Sequence, residues 1–182
     1  MWFYNWSGVV IISNWYVIRV KTGDEEKVKT LLEDYDMSVR VLYREVYLRK
    51  QGMVYNKKVR LFPGYIFVIS DLDYQEFDIE VTKIKYANGK FFKNLRWDKE
   101  GTPALLPKEI EKIRHLTGDN EVVETSIGFI EGDKVIITEG PLMGYESSII
   151  KIDRHKRTAL LELEFLGEVR ETTVPLEIVL KR

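Results

Sequence analysis

The densest group of chemically capable side chains is the stretch IDRHKR, residues 152–157, in which Arg154, His155, Lys156 and Arg157 follow one acid, Asp153, with Lys151 just before it. The net charge of the 182-residue chain is only -1, so no whole-molecule field would draw it to nucleic acid. A patch of five donors on one turn is therefore a local anion site, and the planar fork of arginine suits a phosphate or a guanine edge. Lys134, Tyr145, Ser147 and Arg170 are candidates to extend the same surface. The plainer alternative is a solvated turn, the usual meaning of a charge run.

Catalytic chemistry finds less support. His115 and His155 are far apart in sequence, and neither falls in a metal-ligand spacing or a nucleophile elbow. With no cysteine there is no disulfide, thiolate nucleophile or cysteine-held zinc or iron-sulfur centre. Gly132, Gly140 and Gly144 do not form a phosphate-binding glycine loop, and the pair Glu25-Glu26 reads as the exposed start of a helix, where the helix dipole favours acids. The sequence points to a binding protein, not an enzyme, with no metal and no cofactor.

A second group is aromatic. RLFPGYIFV, residues 60–68, sets a Pro-Gly pair inside an apolar run. Proline and glycine leave backbone accessible, and rigid rings give large contact area at small entropic cost, which is the make-up of an interface core. A buried strand explains the same residues without a partner.

The elements that position these groups follow from hydrophobic period. From Asn14 the pattern WYVIRVK, residues 15–21, suits a strand, and EEKVKTLLEDY places Val28, Leu31, Leu32 and Tyr35 at helical spacing. Alternation over 38–50 and the run 59–70 predict two long strands in a hairpin carrying Arg40, Arg44, Arg49, Lys50, Lys57, Lys58 and Arg60. Residues 71–80 predict a short helix, 82–86 a strand, and 107–116 a helix with proline at its start. This is an α+β sandwich of helices on an antiparallel sheet. Polar residues 117–124 predict a linker, and strands over 134–138, 147–152, 159–165, 169–174 and 178–180 predict a small β-barrel at 125–182. The apolar residues 1–13 lack a signal peptide's basic start and are too short to span a bilayer, so they are expected to be an extension or a start-site artefact on a cytoplasmic, monomeric protein.

The text EGDKVIITEGPLMGYESSIIKID, residues 131–153, resembles the KOW motif of small barrels in transcription and ribosomal proteins, although Leu142 and Ser147 stand where an aromatic and a glycine are common. With RLFPGYIFV and the opening Asn14-Trp15-Tyr16-Val17, the chain over 14–182 resembles NusG-type transcription elongation factors. The resemblance implies a polymerase-binding domain at 14–116 and a KOW barrel after it. It also implies that Trp15, Phe62, Pro63, Tyr65 and Phe67 dock on the clamp helices of RNA polymerase. The charge run of the hairpin is either a solvated face or a contact to DNA near the transcription bubble. Where some specialised members carry a His-Thr-Thr-Thr stretch, this chain has Tyr74-Gln75-Glu76-Phe77, so a further contact to the polymerase gate loop is not implied.

In general members the barrel touches ribosomal protein S10 or the termination factor Rho, and Phe165 stands at a position used for such contacts. The SIGFIEGD stretch, 126–133, and the IDRHKR tip are instead similar to the LoaP-type antitermination members, which implies a structured nascent RNA hairpin as the barrel's ligand. A ribosome-associated RNA-binding protein is the remaining alternative.

Overall fold

A computed structural model describes residues 3–4, 10–11, 13–50, 53–88, 92–95 and 104–181. In chain order the elements are β1 (Phe3–Tyr4), β2 (Val10–Ile11), β3 (Asn14–Val20), α1 (Glu25–Glu33), β4 (Ser38–Arg40), β5 (Tyr43–Lys50), β6 (Met53–Arg60) and β7 (Tyr65–Ser70). There follow α2 (Tyr74–Asn88), β8 (Phe92–Leu95), α3 (Pro107–Thr117), β9 (Val122–Val123), β10 (Ser126–Glu131), β11 (Lys134–Glu139), a 3-10 turn at Glu146–Ser148, β12 (Ile149–Asp153), β13 (Thr158–Phe165) and β14 (Glu168–Lys181). They form two compact units, Met1–Val41 with Pro63–Leu106, and Leu42–Phe62 with Pro107–Arg182.

The first unit is built on an antiparallel sheet of order β4-β7-β3-β8. Directly paired residues share a face, so the register Ile18 with Ile66 and Tyr16 with Val68 defines one side of the sheet. That side meets the helices: the Tyr16 ring stacks on Phe77 of α2 at 3.9 Å, and Tyr16 donates its hydroxyl proton to the Leu72 carbonyl at 2.7 Å. Glu25, Val28 and Leu32 of α1, with Phe77, Val81 and Ile84 of α2, are the buried positions of the two helices. The other side carries Trp15, Val17 and Phe67. In the first thirteen residues β1 pairs with β2, and 1–2, 5–9 and 12 lie outside the described residues.

The second unit holds two sheets and α3. β5 and β6 form a hairpin, and β9 runs parallel to β5. The five-stranded sheet has the order β11-β10-β14-β13-β12. β14 pairs antiparallel with β13 through residues 168–175 and parallel with β10 through 176–181, so one long strand serves two ladders and bends the sheet around itself. Leu142, Leu161, Leu163, Phe165, Val174 and Leu176 are buried in this unit. The chain is thus mixed α and β with a small C-terminal β domain.

Several local expectations change. Residues 82–86 are helix, not strand: the spacing Phe77, Val81, Ile84 buries one side of α2, while Tyr86, which fitted an alternating pattern, is exposed. The 38–50 stretch breaks at Val41-Leu42, both buried, and the 59–70 run breaks at Phe62-Pro63-Gly64. There Pro63 has no N–H for a ladder and Gly64 takes a φ of +82°. A Cβ on Gly64 would lie 3.1 Å from Thr22 Oγ1 and 3.3 Å from the Val20 carbonyl oxygen.

The stretch expected as a linker contains β9, in which Val122 and Val123 are buried, and the hairpin with α3 groups with the C-terminal residues instead of with the first sheet. The strands expected at 169–174 and 178–180 are one, because Pro175 falls where the β13 ladder ends and the missing N–H is not needed there. Glu25 is not exposed: it is fully buried and accepts hydrogen bonds from the N–H groups of Gly23 and Gly64 at 2.7 and 2.8 Å.

Candidate functional site

The basic turn sits between β12 and β13. Asp153 orders it, accepting the Lys156 backbone N–H at 2.9 Å through Oδ1, while Lys156 Nζ lies 3.6 Å from Oδ2. That backbone bond, with the Lys156 charge, holds the Asp153 carboxyl below the usual aspartate value. The turn closes on Arg157 at a φ of +52°, and the Leu176 N–H donates to the Arg157 carbonyl at 3.0 Å.

A cleft of about 640 Å³ opens beside the turn. Lys151, Arg154, His155 and Arg157 line it together with Asp153 and Glu177. Ile152 and Ile178 supply its apolar lining. Four of the nine residues expected to bind RNA therefore converge on one concavity.

Within the cleft Arg157 is fixed from two sides. Its guanidinium lies 5.2 Å from the Tyr47 ring centroid and 3.5 Å from Glu177 Oε2. Tyr47 is anchored in turn: its hydroxyl lies 3.0 Å from Thr125 Oγ1, and Thr125 donates to Glu45 Oε2 at 2.9 Å. Sequence reasoning missed Tyr47, Glu177 and Ile178, because they come from β5 and β14 and meet the turn only through strand pairing.

The other expected residues lie elsewhere. Lys156 is exposed on the turn outside the cleft lining. Lys134 is at the β10–β11 turn, paired with Glu131. Ser147 is exposed on the 3-10 turn, and Tyr145 lies against His115 at 4.9 Å between ring centroids, its phenol pushed up by burial and by Glu111. Arg170 pairs with Leu163, whereas Thr158, beside the basic turn, pairs with Pro175. Five residues of strand put Arg170 about 17 Å from the turn. It bonds Glu168 at 3.2 Å and covers the Phe165 ring at 5.2 Å.

Of the five aromatic-patch residues, Trp15, Tyr65 and Phe67 share the sheet face opposite the helices. Trp15 and Phe67 are buried with ring centroids 6.1 Å apart, and Tyr65 is half-buried beneath Arg19 at 4.4 Å. Arg40 lies over Trp15 at 5.8 Å. Pro63 is exposed in the turn. Phe62 belongs to the other compact unit, where it stacks on Phe165 with centroids 4.2 Å apart and planes within 5°. On the hairpin Lys57 and Lys58 are exposed, while burial lowers the Arg44 guanidinium from its ordinary value.

The family model described as "Transcription termination factor nusG" matches residues 13–114, from β3 into α3. This chain belongs to the NusG family. Its NusG relatives include the "Transcription termination/antitermination protein NusG" of Bacillus subtilis, 31% identical over 173 residues that cover 90% of this chain and 94% of the relative. The protein of that name from Halalkalibacterium halodurans is 30% identical with the same coverage of both chains. The one from Thermus thermophilus is 26% identical over 90% of this chain and 94% of its own. NusG membership makes the chain a transcription factor and not an enzyme. The aromatic patch falls inside the matched 13–114, while the basic turn falls outside it, so the turn's role rests on its own geometry.

Proposed function

We propose that this NusG-family chain acts in processive antitermination, holding RNA polymerase through the sheet face that carries Trp15, Tyr65 and Phe67, with Pro63 in the turn before it, and a structured nascent RNA through the cleft beside the basic turn. The observation that carries the RNA half is the convergence of Lys151, Arg154, His155 and Arg157 on one concavity in a chain of near-zero net charge. Lys156 on the same turn, and Lys134, Tyr145, Ser147 and Arg170 on other parts of the second unit, would meet only an RNA long enough to reach past the cleft. Linking two sites raises effective concentration, so a modest polymerase affinity becomes selective for transcripts that present the RNA. The protein then works in the cytoplasm, like the LoaP-type members it resembles. No helix among the described residues is long and apolar enough to cross a membrane.

The barrel of a general elongation factor would instead dock ribosomal protein S10 or Rho. Phe165, the residue expected to serve that contact, is fully buried against Phe62, which favours RNA as the ligand.

The test is binding of the full chain to RNA hairpins from its own transcripts across salt concentration. The expected result is hairpin-selective binding whose logarithm falls with log salt at a slope of about -1.5 to -3.5, as two to four phosphate contacts require. Arg154→Ala should weaken it about tenfold. Binding indifferent to hairpin sequence and to Arg154→Ala would reject the RNA half and return the barrel to a protein partner.

A further inference from the structure

The cleft beside the basic turn contains more than an anion site needs. We infer that it receives an unpaired guanosine of the bound RNA, an inference that rests on the RNA reading above.

The first argument is the mixture of signs. Lys151, Arg154 and His155 offer only donors when charged, yet Glu177 lines the same cleft. A phosphate has only acceptors, and a carboxylate beside it is repulsive. A ligand that satisfies both walls must present donors on one edge and acceptors on another.

Asp153 is committed to the turn itself, where its Oδ1 accepts the Lys156 backbone N–H at 2.9 Å and its Oδ2 faces Lys156 Nζ at 3.6 Å. Glu177 is different. It is held at 3.5 Å by Arg157, whose position is set by the Tyr47 ring and by the Leu176 backbone bond. A carboxylate accepts up to about four hydrogen bonds, so this single partner leaves Glu177 capacity for a ligand while fixing where it stands.

Size and apolar lining point the same way. At about 640 Å³ the cleft is in the range of small-molecule sites, far larger than a phosphate requires. Ile152 and Ile178 give it apolar surface, which suits the face of a base and not a bare anion. Unpaired bases are read in this way, by contact on the ring face and hydrogen bonds on the edges.

Among the four bases, guanine matches the donor and acceptor arrangement. Its N1–H and N2–H are adjacent donors for the two oxygens of Glu177, and its O6 and N7 are adjacent acceptors for an arginine fork, which Arg154 supplies. Adenine and cytosine each place a single amino group next to an acceptor, and uracil has one N–H between two carbonyls. Each would leave a Glu177 oxygen facing an acceptor.

The experiment titrates the full chain with guanosine, adenosine, cytidine, uridine and inosine 5′-monophosphates and with inorganic phosphate, following the Ile152 and Ile178 methyl resonances. Guanosine monophosphate should bind about tenfold tighter than the other three standard nucleotides, the discrimination expected of one bidentate pair. Inosine monophosphate, which lacks the N2 amino group, should lose most of that advantage, and Glu177→Gln should bring guanosine and adenosine monophosphates to within about twofold. The inosine comparison needs no variant, so it stands even if Glu177→Gln perturbs the turn. Equal binding of all the nucleotides, or displacement of each by phosphate at the same concentration, overturns the guanosine site. Hairpin-selective RNA binding alongside equal nucleotide binding overturns this inference alone. A guanosine preference without hairpin binding supports it while removing the hairpin reading.

Discussion

Glu25 Oε1 accepts a hydrogen bond from the Gly64 backbone N–H at 2.8 Å, so the first turn of α1 is tied to the Pro63-Gly64 turn that launches β7. The second oxygen, Oε2, takes the Gly23 N–H at 2.7 Å. Both bonds are charge-assisted and the residue is fully buried. Glu25→Ala would leave the buried Gly64 donor without this acceptor and should cost about 2–4 kcal/mol. Glu25→Gln keeps one acceptor oxygen for two donors and should fall between wild type and alanine. Urea unfolding of the three proteins measures it, and equal midpoints would mean that the turn holds itself.

The second unit uses the same device. Glu109, in the first turn of α3 and fully buried, accepts the Gly167 N–H at 2.9 Å, and Gly167 takes a φ of +73° in the β13–β14 turn. Glu109→Ala should destabilise by about 1–3 kcal/mol. Hydrogen exchange at the Gly167 amide should rise more than at amides in the middle of β13. A uniform rise across the unit would show global loss of stability without local release of the turn.

What the sequence disclosed, and what it hid, has one physical origin. Trp15, Tyr65 and Phe67 came from the family resemblance, and the strand's period of two then puts the three on one face of the sheet. The basic turn was legible because its charges are contiguous. Glu25 and Glu109 were not, since a glutamate in a helix's first turn has the dipole as sufficient explanation, and nothing local says that a glycine N–H lies across from it. Tyr47 and Glu177 were hidden for a related reason: they reach Arg157 through pairings far apart in the chain. Tyr86 misled because Thr82, Ile84 and Tyr86 alternate in type, although only the helical positions Phe77, Val81 and Ile84 are buried.

The Phe62–Phe165 stack joins the loop before β7 to the end of β13. Both rings are buried, so Phe62→Ala and Phe165→Ala should each cost about 3–5 kcal/mol. The pair in contact should couple by about 0.5–1.5 kcal/mol in a double-mutant cycle. Arg170 also covers Phe165, at 5.2 Å, so the cycle is best run with Arg170 unchanged. Strict additivity would mean that the two rings are buried independently and that the stack is incidental.

The order of the basic turn should depend on pH in a direction fixed by Asp153. Its carboxyl lies below the usual aspartate value, chiefly because the Lys156 backbone N–H donates to it, with smaller help from the Lys156 charge. The folded turn therefore favours the ionised form, and its contribution is present above the aspartate value of the unfolded chain. That contribution is lost as pH falls through the lower folded value, in a window below about pH 4. Because Asp153 is on the surface, the effect should appear as local disorder and not as global unfolding. The Lys156 amide resonance, followed by NMR from pH 6 downward, should move with an apparent midpoint below that of an unfolded aspartate. Asp153→Asn, which retains an acceptor oxygen, should keep the amide near its high-pH position throughout, and Asp153→Ala should hold it at the low-pH position. A midpoint at the ordinary aspartate value, or an amide unmoved by Asp153→Ala, would show that another interaction shapes the turn on which Arg154, His155 and Lys156 are presented.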